Sequence, residues 1–318
     1  MAIAPIPNEL RSLLEKQQYG FVGNHSAVKI CAWTKKSLLG KGSCYKQKFY
    51  GIKSHRCCQI TPAVGFCQNR CEICWRPVEY TVGEKMDFDV DNPKDIVKKA
   101  PEMQKKLLSG FGGNEKANKK NLEQAKDPMH YAISLAGEPT VYPKLNELIR
   151  LLHKDGKTTF VVTNGMLPGV LEKIEPPTQL YVSIDAPNEG LLKKIDKPVL
   201  KDAWKRLNKS LEVLKNLKKK TRTALRVTLV KGKNMQFPEK YAEMIKKADS
   251  HFVEIKAYMF VGASQERLAI ENMPLHPEVV EFAKEIAKHS GYKVIDEQPE
   301  SRVVLLMKKD FPGRIMKF

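Results

Sequence analysis

From residue 128 onward, short β-rich runs alternate with amphipathic stretches at helical spacing. The strand candidates are Tyr131–Ala136, Thr158–Thr163, Leu180–Ile184, Thr223–Val230 and Phe252–Tyr258. Each is followed by a helical pattern, in turn Lys144–Lys154, Leu167–Ile174, Lys201–Leu217, Glu239–Ala248 and Glu278–His289. Ahead of them Gln59–Phe66 reads as a strand and Pro93–Leu108 as a helix, which makes six βα repeats. Such repeats pair in parallel through right-handed crossovers, and no hairpin signal interrupts them. The class is α/β, closed either as an open doubly wound sheet or as a barrel of fewer than eight strands. Val294–Ile295 and Val303–Met307, parted by Glu-Gln-Pro-Glu, add a small C-terminal extension. The polar stretch Ser109–Asp127 reads as a flexible crossover. Its Gly-Phe-Gly-Gly follows a helix and has Glu115 in the third glycine's place, so it is no dinucleotide fingerprint, and no P-loop occurs.

Composition narrows the partners. No apolar run approaches the ~18–20 residues that a membrane span needs. The opening Met-Ala-Ile-Ala-Pro-Ile-Pro lacks a basic leader and a long apolar core, so a cytoplasmic protein without a membrane partner is expected. Lys and Arg number 55 against 36 Asp and Glu, a formal net charge of +19 over 318 residues. A lysine-rich solvated surface would call for comparable Glu, which is lacking, so a polyphosphate partner such as nucleic acid is the better reading.

All seven cysteines lie before residue 75. In a large chain without a leader, clustered thiols read as metal ligands rather than a disulfide framework. Cys67, Cys71 and Cys74 stand in Cys-Gln-Asn-Arg-Cys-Glu-Ile-Cys, just after the first strand candidate. Three thiolates so spaced can wrap one corner of an iron–sulfur cubane and leave one iron open to chelate a substrate. The competing reading is a zinc knuckle, for which Cys57, Cys58 or His55 could supply a fourth ligand. Upstream, Cys31, Cys44 and Cys57 recur at thirteen-residue intervals and could hold a second cluster, with Cys58 competing for the third place.

The Cys-x₃-Cys-x₂-Cys loop after the first βα strand resembles the radical S-adenosylmethionine (SAM) superfamily, with Ile73 where that superfamily usually has an aromatic residue. Ala136-Gly137-Glu138-Pro139 is similar to its glycine-rich motif for the methionyl amine. Asn164, Ser183 and Arg226, with Thr163, Asp185 and Thr228, fall at or near strand ends, where α/β folds bind ligands. The second cysteine set, Cys44-Tyr-Lys46-Gln-Lys-Phe-Tyr-Gly, Thr61-Pro62 and the Cys-Trp-Arg after the triad closely resemble the tRNA 4-demethylwyosine synthase family of the archaeal wyosine pathway.

That resemblance implies an incomplete (β/α)6 barrel of radical SAM type over residues 57–290, an N-terminal cysteine-bearing extension (1–56) and a C-terminal extension (291–318). It implies two [4Fe-4S] clusters, one on Cys67, Cys71 and Cys74 with SAM, the other on Cys31, Cys44 and Cys57, with Gly137, Glu138, Asn164, Ser183 and Arg226 as cofactor contacts. The implied substrates are pyruvate and phenylalanine tRNA carrying N1-methylguanosine 3′ of the anticodon. A 5′-deoxyadenosyl radical takes hydrogen from the N1-methyl group, Lys46 holds pyruvate as a Schiff base, and two carbons close a third ring, a carbon–carbon lyase reaction. The bland alternative for Lys46, flanked by Lys41 and Lys48, is a surface cation. A flavodoxin-like domain has no room before Cys31, so an external electron donor is expected, as is a monomer. Two readings compete: a radical SAM enzyme for another small molecule or protein, and a non-catalytic zinc-binding RNA module.

Overall fold

The computed structural model describes residues 6–318; of the opening heptapeptide, residues 1–5 lie outside the described residues. The described chain forms two compact units. The first takes residues up to Cys67, Val82–Val162 and Ile315–Phe318, and the second takes Gln68–Thr81 and Thr163–Arg314.

In the first unit the strands are β1 (Tyr19–Phe21), β2 (Ala27–Lys29), β3 (Cys57–Thr61), β4 (His130–Ile133) and β5 (Thr158–Thr163). β1 and β2 form an antiparallel pair, and β2 joins β3 antiparallel with Val28 opposite Ile60. From there the pairing is parallel, Ile60 beside Ile133 and Ile133 beside Val161. The helices are α1 (Asn8–Lys16), α2 (Ala32–Leu38), α3 (Tyr45–Tyr50), α4 (Pro93–Leu108), α5 (Lys119–Ala125) and α6 (Leu145–Lys154). α4 starts where expected because the Asn92 side chain accepts from the Lys94 amide and Pro93 opens the first turn.

Three expectations need correction here. β3 begins at Cys57 and stops at Thr61, five residues short of Phe66, since Pro62 has no amide to extend the ladder. Phe66 is instead an isolated parallel bridge to Gly83. β4 likewise stops at Ile133, three residues before Ala136. The supposed flexible crossover contains α5, capped by Asn118 and packed through Ala125 and Leu122 against Ile30, Leu38 and Leu108.

The second unit holds β6 (Gln179–Ser183), β7 (Arg222–Leu229), β8 (Phe252–Ala257), β9 (Lys293–Gln298) and β10 (Val303–Met307). β6, β7 and β8 are parallel, β10 pairs antiparallel with β8, and β9 with β10. Its helices are α7 (Pro168–Glu172), α8 (Glu189–Ile195), α9 (Ala203–Leu217), α10 (Pro238–Ala248) and α11 (His276–Ser290). Every residue of β10 is buried, which is why Val-Val-Leu-Leu-Met reads as an unbroken apolar run. α8 was not expected from the pattern, although Asn188 caps it by accepting from the Leu191 amide.

Candidate active site

In the first unit, Cys31 and Cys44 are the residues that precede α2 and α3, and Cys57 opens β3. The helix starts are tied to the strand through Ser54. Its hydroxyl accepts from the Cys44 amide (2.9 Å), its amide donates to Gln47 Oε1 (3.1 Å), and its carbonyl accepts from Thr34 Oγ1 (3.0 Å). Burial pushes the Cys57 thiol up, and the nearby Cys31 and Cys44 push it further, while Lys46 draws it back down. Those three groups therefore lie close enough to Cys57 to act on it electrostatically. Cys58 points to the other side of β3, fully buried, and is pushed up by burial and by Cys57. Lys46 stands on the first turn of α3 with its Nζ 5.3 Å from the centre of the buried Phe160 ring.

Also in this unit, the Cys67 amide donates to the Gly83 carbonyl (2.9 Å) and the Glu138 amide to the Phe66 carbonyl (2.8 Å). Gly137 lies so close to the Ala63 carbonyl oxygen that a Cβ would collide with it. Glu138 is buried, and its Oε1 accepts from the Thr140 amide (3.1 Å) and hydroxyl (2.6 Å).

In the second unit the stretch Gln68–Thr81, with Cys71 and Cys74, is held by backbone and by cations. The Arg70 and Glu72 amides donate to the carbonyls of Asp196 (2.9 Å) and Ile195 (2.8 Å), at the end of α8. Glu72 pairs with Lys233 (2.8 Å) and Lys197 (3.1 Å); burial alone would raise its carboxyl, and the two lysines outweigh that and leave it lowered. Arg267 donates from Nε to the Glu72 carbonyl (3.2 Å) and from its terminal nitrogen to the carbonyls of Cys74 and Arg76 (the latter 3.4 Å). Ile73 packs on Val230, Tyr258 and Leu268.

The strand ends beside this loop are polar and partly buried, with Asp185 and Asp196 buried. Asn164 donates to Gln68 Oε1 (3.3 Å) and accepts from the Met166 amide (2.9 Å). Arg226 donates to Ser183 Oγ (3.0 Å), and Asp185 Oδ1 accepts from the Thr228 amide (3.2 Å). Burial raises the Asp185 carboxyl against the pull of Arg226 and Thr228. Asp196 is raised further, by burial and by Asp185, although the Cys71 thiol donates to it. Asp196 Oδ1 and Arg226 Nε are buried without a hydrogen-bond partner. One orphaned acceptor and one orphaned donor fit a ligand that offers ammonium or hydroxyl donors together with a carboxylate, as SAM does. Asp196 and Arg267 escaped the sequence reading: their role depends on partners far along the chain. The Asn188 cap is the signal that would have marked the turn at Asp196.

Among the described residues, no three His, Cys, Asp or Glu side chains form a group able to hold a single metal ion. No helix is long and apolar enough to cross a membrane among the described residues.

Comparison with known proteins shows the family. The radical SAM superfamily profile matches residues 61–245, and a profile for wyosine base formation matches residues 247–308. The S-adenosyl-L-methionine-dependent tRNA 4-demethylwyosine synthase of Pyrococcus abyssi is 49% identical over 96% of this chain and 90% of its own. A solved structure of TYW1 with a lysine–pyruvate adduct bound is 40% identical, superposes with a TM-score of 0.88 and covers 98% of this chain and 100% of that one. A crystal structure of archaeal TYW1 is 38% identical, with a TM-score of 0.78 over 95% of this chain and 96% of that one. The fold is that of the radical SAM class, an incomplete βα barrel, and a SAM-binding [4Fe-4S] cluster goes with it. The chain belongs to the family of S-adenosyl-L-methionine-dependent tRNA 4-demethylwyosine synthases.

Proposed function

We propose that this chain joins two carbons of pyruvate to the N1-methylguanosine 3′ of the anticodon in phenylalanine tRNA, forming 4-demethylwyosine. The observation that carries the reading is the setting of Lys46 on the first turn of α3, half-buried, with its Nζ 5.3 Å from the buried Phe160 ring and near enough to Cys57 to draw its thiol down. The relative solved with a lysine–pyruvate adduct supports the same reading. Cys67, Cys71 and Cys74, closely spaced in sequence, would hold the SAM-binding cluster. Cys31, Cys44 and Cys57 would hold a second [4Fe-4S] cluster, with Cys58 a bystander on the far side of β3. When bound, the first cluster supplies the electron that splits SAM and so a radical able to take hydrogen from a methyl group.

The chain's own residues bind and orient. Gly137 lets the backbone turn against Ala63, and Glu138 follows it at the place expected to receive the methionyl amine. Asn164, Ser183 and Arg226 complete the cofactor contacts, and the Arg226 Nε is a donor in want of an acceptor. The Lys46 amine attacks C2 of pyruvate and water leaves, so the substrate is fixed as an imine. Pyruvate brings three carbons and the base gains C2 and C3, so the C1–C2 bond breaks and C1 leaves as carbon dioxide: this is carbon–carbon lyase chemistry. The formal charge of +19 suits a tRNA partner bound through phosphates. We assign the three segments 1–56, 57–290 and 291–318 to second cluster and lysine, radical SAM barrel, and C-terminal extension. An external donor supplies the electron, and the enzyme works as a cytoplasmic monomer.

The test is borohydride trapping. Reduction in the presence of pyruvate should leave a covalent adduct on the peptide that contains Lys46, and Lys46→Arg should leave none. An adduct on Lys41 or Lys48 instead would move the role to that residue, and product formation with no adduct anywhere would remove the imine.

A further inference from the structure

The segment Ile315–Phe318 lies on the helix that carries Lys46. The Met316 amide donates to the Tyr50 carbonyl (2.9 Å) at the last turn of α3. Gly51, the residue after that helix, adopts a left-handed conformation (φ +82°), and Met316 lies so close that any Cβ there would strike its carbonyl oxygen. Glycine is thus required twice over at position 51. Two residues on, the Phe318 ring meets the edge of His130 at 4.6 Å between centres, in a T-shaped contact.

His130 is fully buried and has both ring nitrogens engaged. Nε2 accepts from the Lys53 amide (3.0 Å), so Nδ1 carries the proton and donates to Thr158 Oγ1 (2.7 Å). The Lys53 amide leads directly into Ser54, the residue that fixes the Cys44 amide and Gln47. On its other side His130 stands 6.4 Å from Phe160, the ring beneath Lys46 Nζ. The four residues of the tail therefore touch the lysine's surroundings twice: at the end of its helix through Met316, and through Phe318 on the histidine that anchors both the Lys53–Ser54 turn and the Phe160 wall. Phe318 itself is 37% exposed, so its contact adds little to the interior and much to the lie of what it covers.

We propose that Met316 and Phe318 are positioning residues for the pyruvate-binding lysine, holding α3 and His130 so that Lys46 meets pyruvate in one geometry. This rests on the reading of Lys46 given above. The tail is remote in sequence from the cysteines and supplies no ligand, so its effect falls on pyruvate and leaves the iron content alone.

The experiment uses the cluster-loaded protein and measures the pyruvate concentration that gives half-maximal borohydride adduct. Phe318→Ala, and separately removal of residues 315–318, should raise that concentration by about fivefold or more, the effect of one lost aromatic contact. Iron per chain and pyruvate-independent SAM cleavage should stay as in the parent. Phe318→Tyr keeps the ring and should restore the parent value, which a loss of folding would not allow. If truncation unfolds the protein, the Phe318→Ala and Phe318→Tyr pair decides the matter. An unshifted concentration in Phe318→Ala, or a shift matched by lost iron, would overturn the proposal. Lys46→Arg run alongside separates the two claims: a persistent adduct there defeats the lysine reading, whereas its loss with no effect of Phe318→Ala defeats only the role of the tail.

Discussion

Arg267 offers a direct handle on the loop that bears Cys71 and Cys74. Its guanidinium joins the carbonyls of Glu72, Cys74 and Arg76, and it lies 3.7 Å from Glu79. Arg267→Met keeps the apolar stem and removes every donor. Hydrogen bonds from a charged group contribute about 1.5–3 kcal/mol each when buried, and less when partly exposed as here. Taking about 1 kcal/mol for each of three contacts, and nothing for the long pair to Glu79, the loop loses about 3 kcal/mol of ordering. That corresponds to roughly a hundredfold shift towards the disordered loop. Arg267→Lys can reach one carbonyl but not three at once, because an ammonium lacks the planar fork. The assay is iron per chain after anaerobic reconstitution, with 5′-deoxyadenosine formation as the second readout. Arg267→Met should lose SAM cleavage and the iron of one cluster, with Arg267→Lys in between. Full iron and parental SAM cleavage in Arg267→Met would refute the idea that this cation holds the loop.

Further outcomes follow from the same geometry. Cys57→Ala should lose one cluster's iron while Cys58→Ala keeps it, because Cys57 and not Cys58 feels Cys31 and Cys44; the reverse result would exchange their roles. Burial, reinforced by Arg56, Lys53 and His55, pushes His130 down to about 3. Between pH 6.5 and 3 the unfolded chain therefore takes up a proton that the fold refuses, and stability falls with falling pH by up to about 1.4 kcal/mol per unit. Denaturant titrations of His130→Gln should show a shallower decline over that window, and an unchanged slope would mean another group sets it. tRNA affinity should fall steeply with salt, with a log–log slope of about −0.7 to −0.9 per phosphate contacted; a flat titration would assign the charge to something else.

Much of the fold is legible in the sequence. Thr158–Thr163, Pro93–Leu108 and Val303–Met307 matched residue for residue. In these the pattern has one cause: an apolar run buried on both sides, or a helix with its Asn cap and N1 proline. The sequence does not mark the limits of β3 and β4, because β-prone residues continue past Pro62 and Ile133 into turns that only tertiary partners define. α5 was hidden by its lysines and its length of a mere two turns. The close spacing of Cys67, Cys71 and Cys74 is visible in the sequence itself, as is the recurrence of Cys31, Cys44 and Cys57. Asp196, Arg267 and Phe318 could not, because each acts on residues more than a hundred positions away and carries no local motif.

The most direct test is the base that the enzyme makes. Anaerobically reconstituted protein is incubated with N1-methylated phenylalanine tRNA, pyruvate, SAM and reductant, and the tRNA is digested to nucleosides for mass spectrometry. With pyruvate labelled at C2 and C3, 4-demethylwyosine carrying both labels is expected from the parent protein and none from Lys46→Arg. An unmodified N1-methylguanosine under conditions in which SAM is cleaved, or a tricyclic base made equally well by Lys46→Arg, would contradict the account.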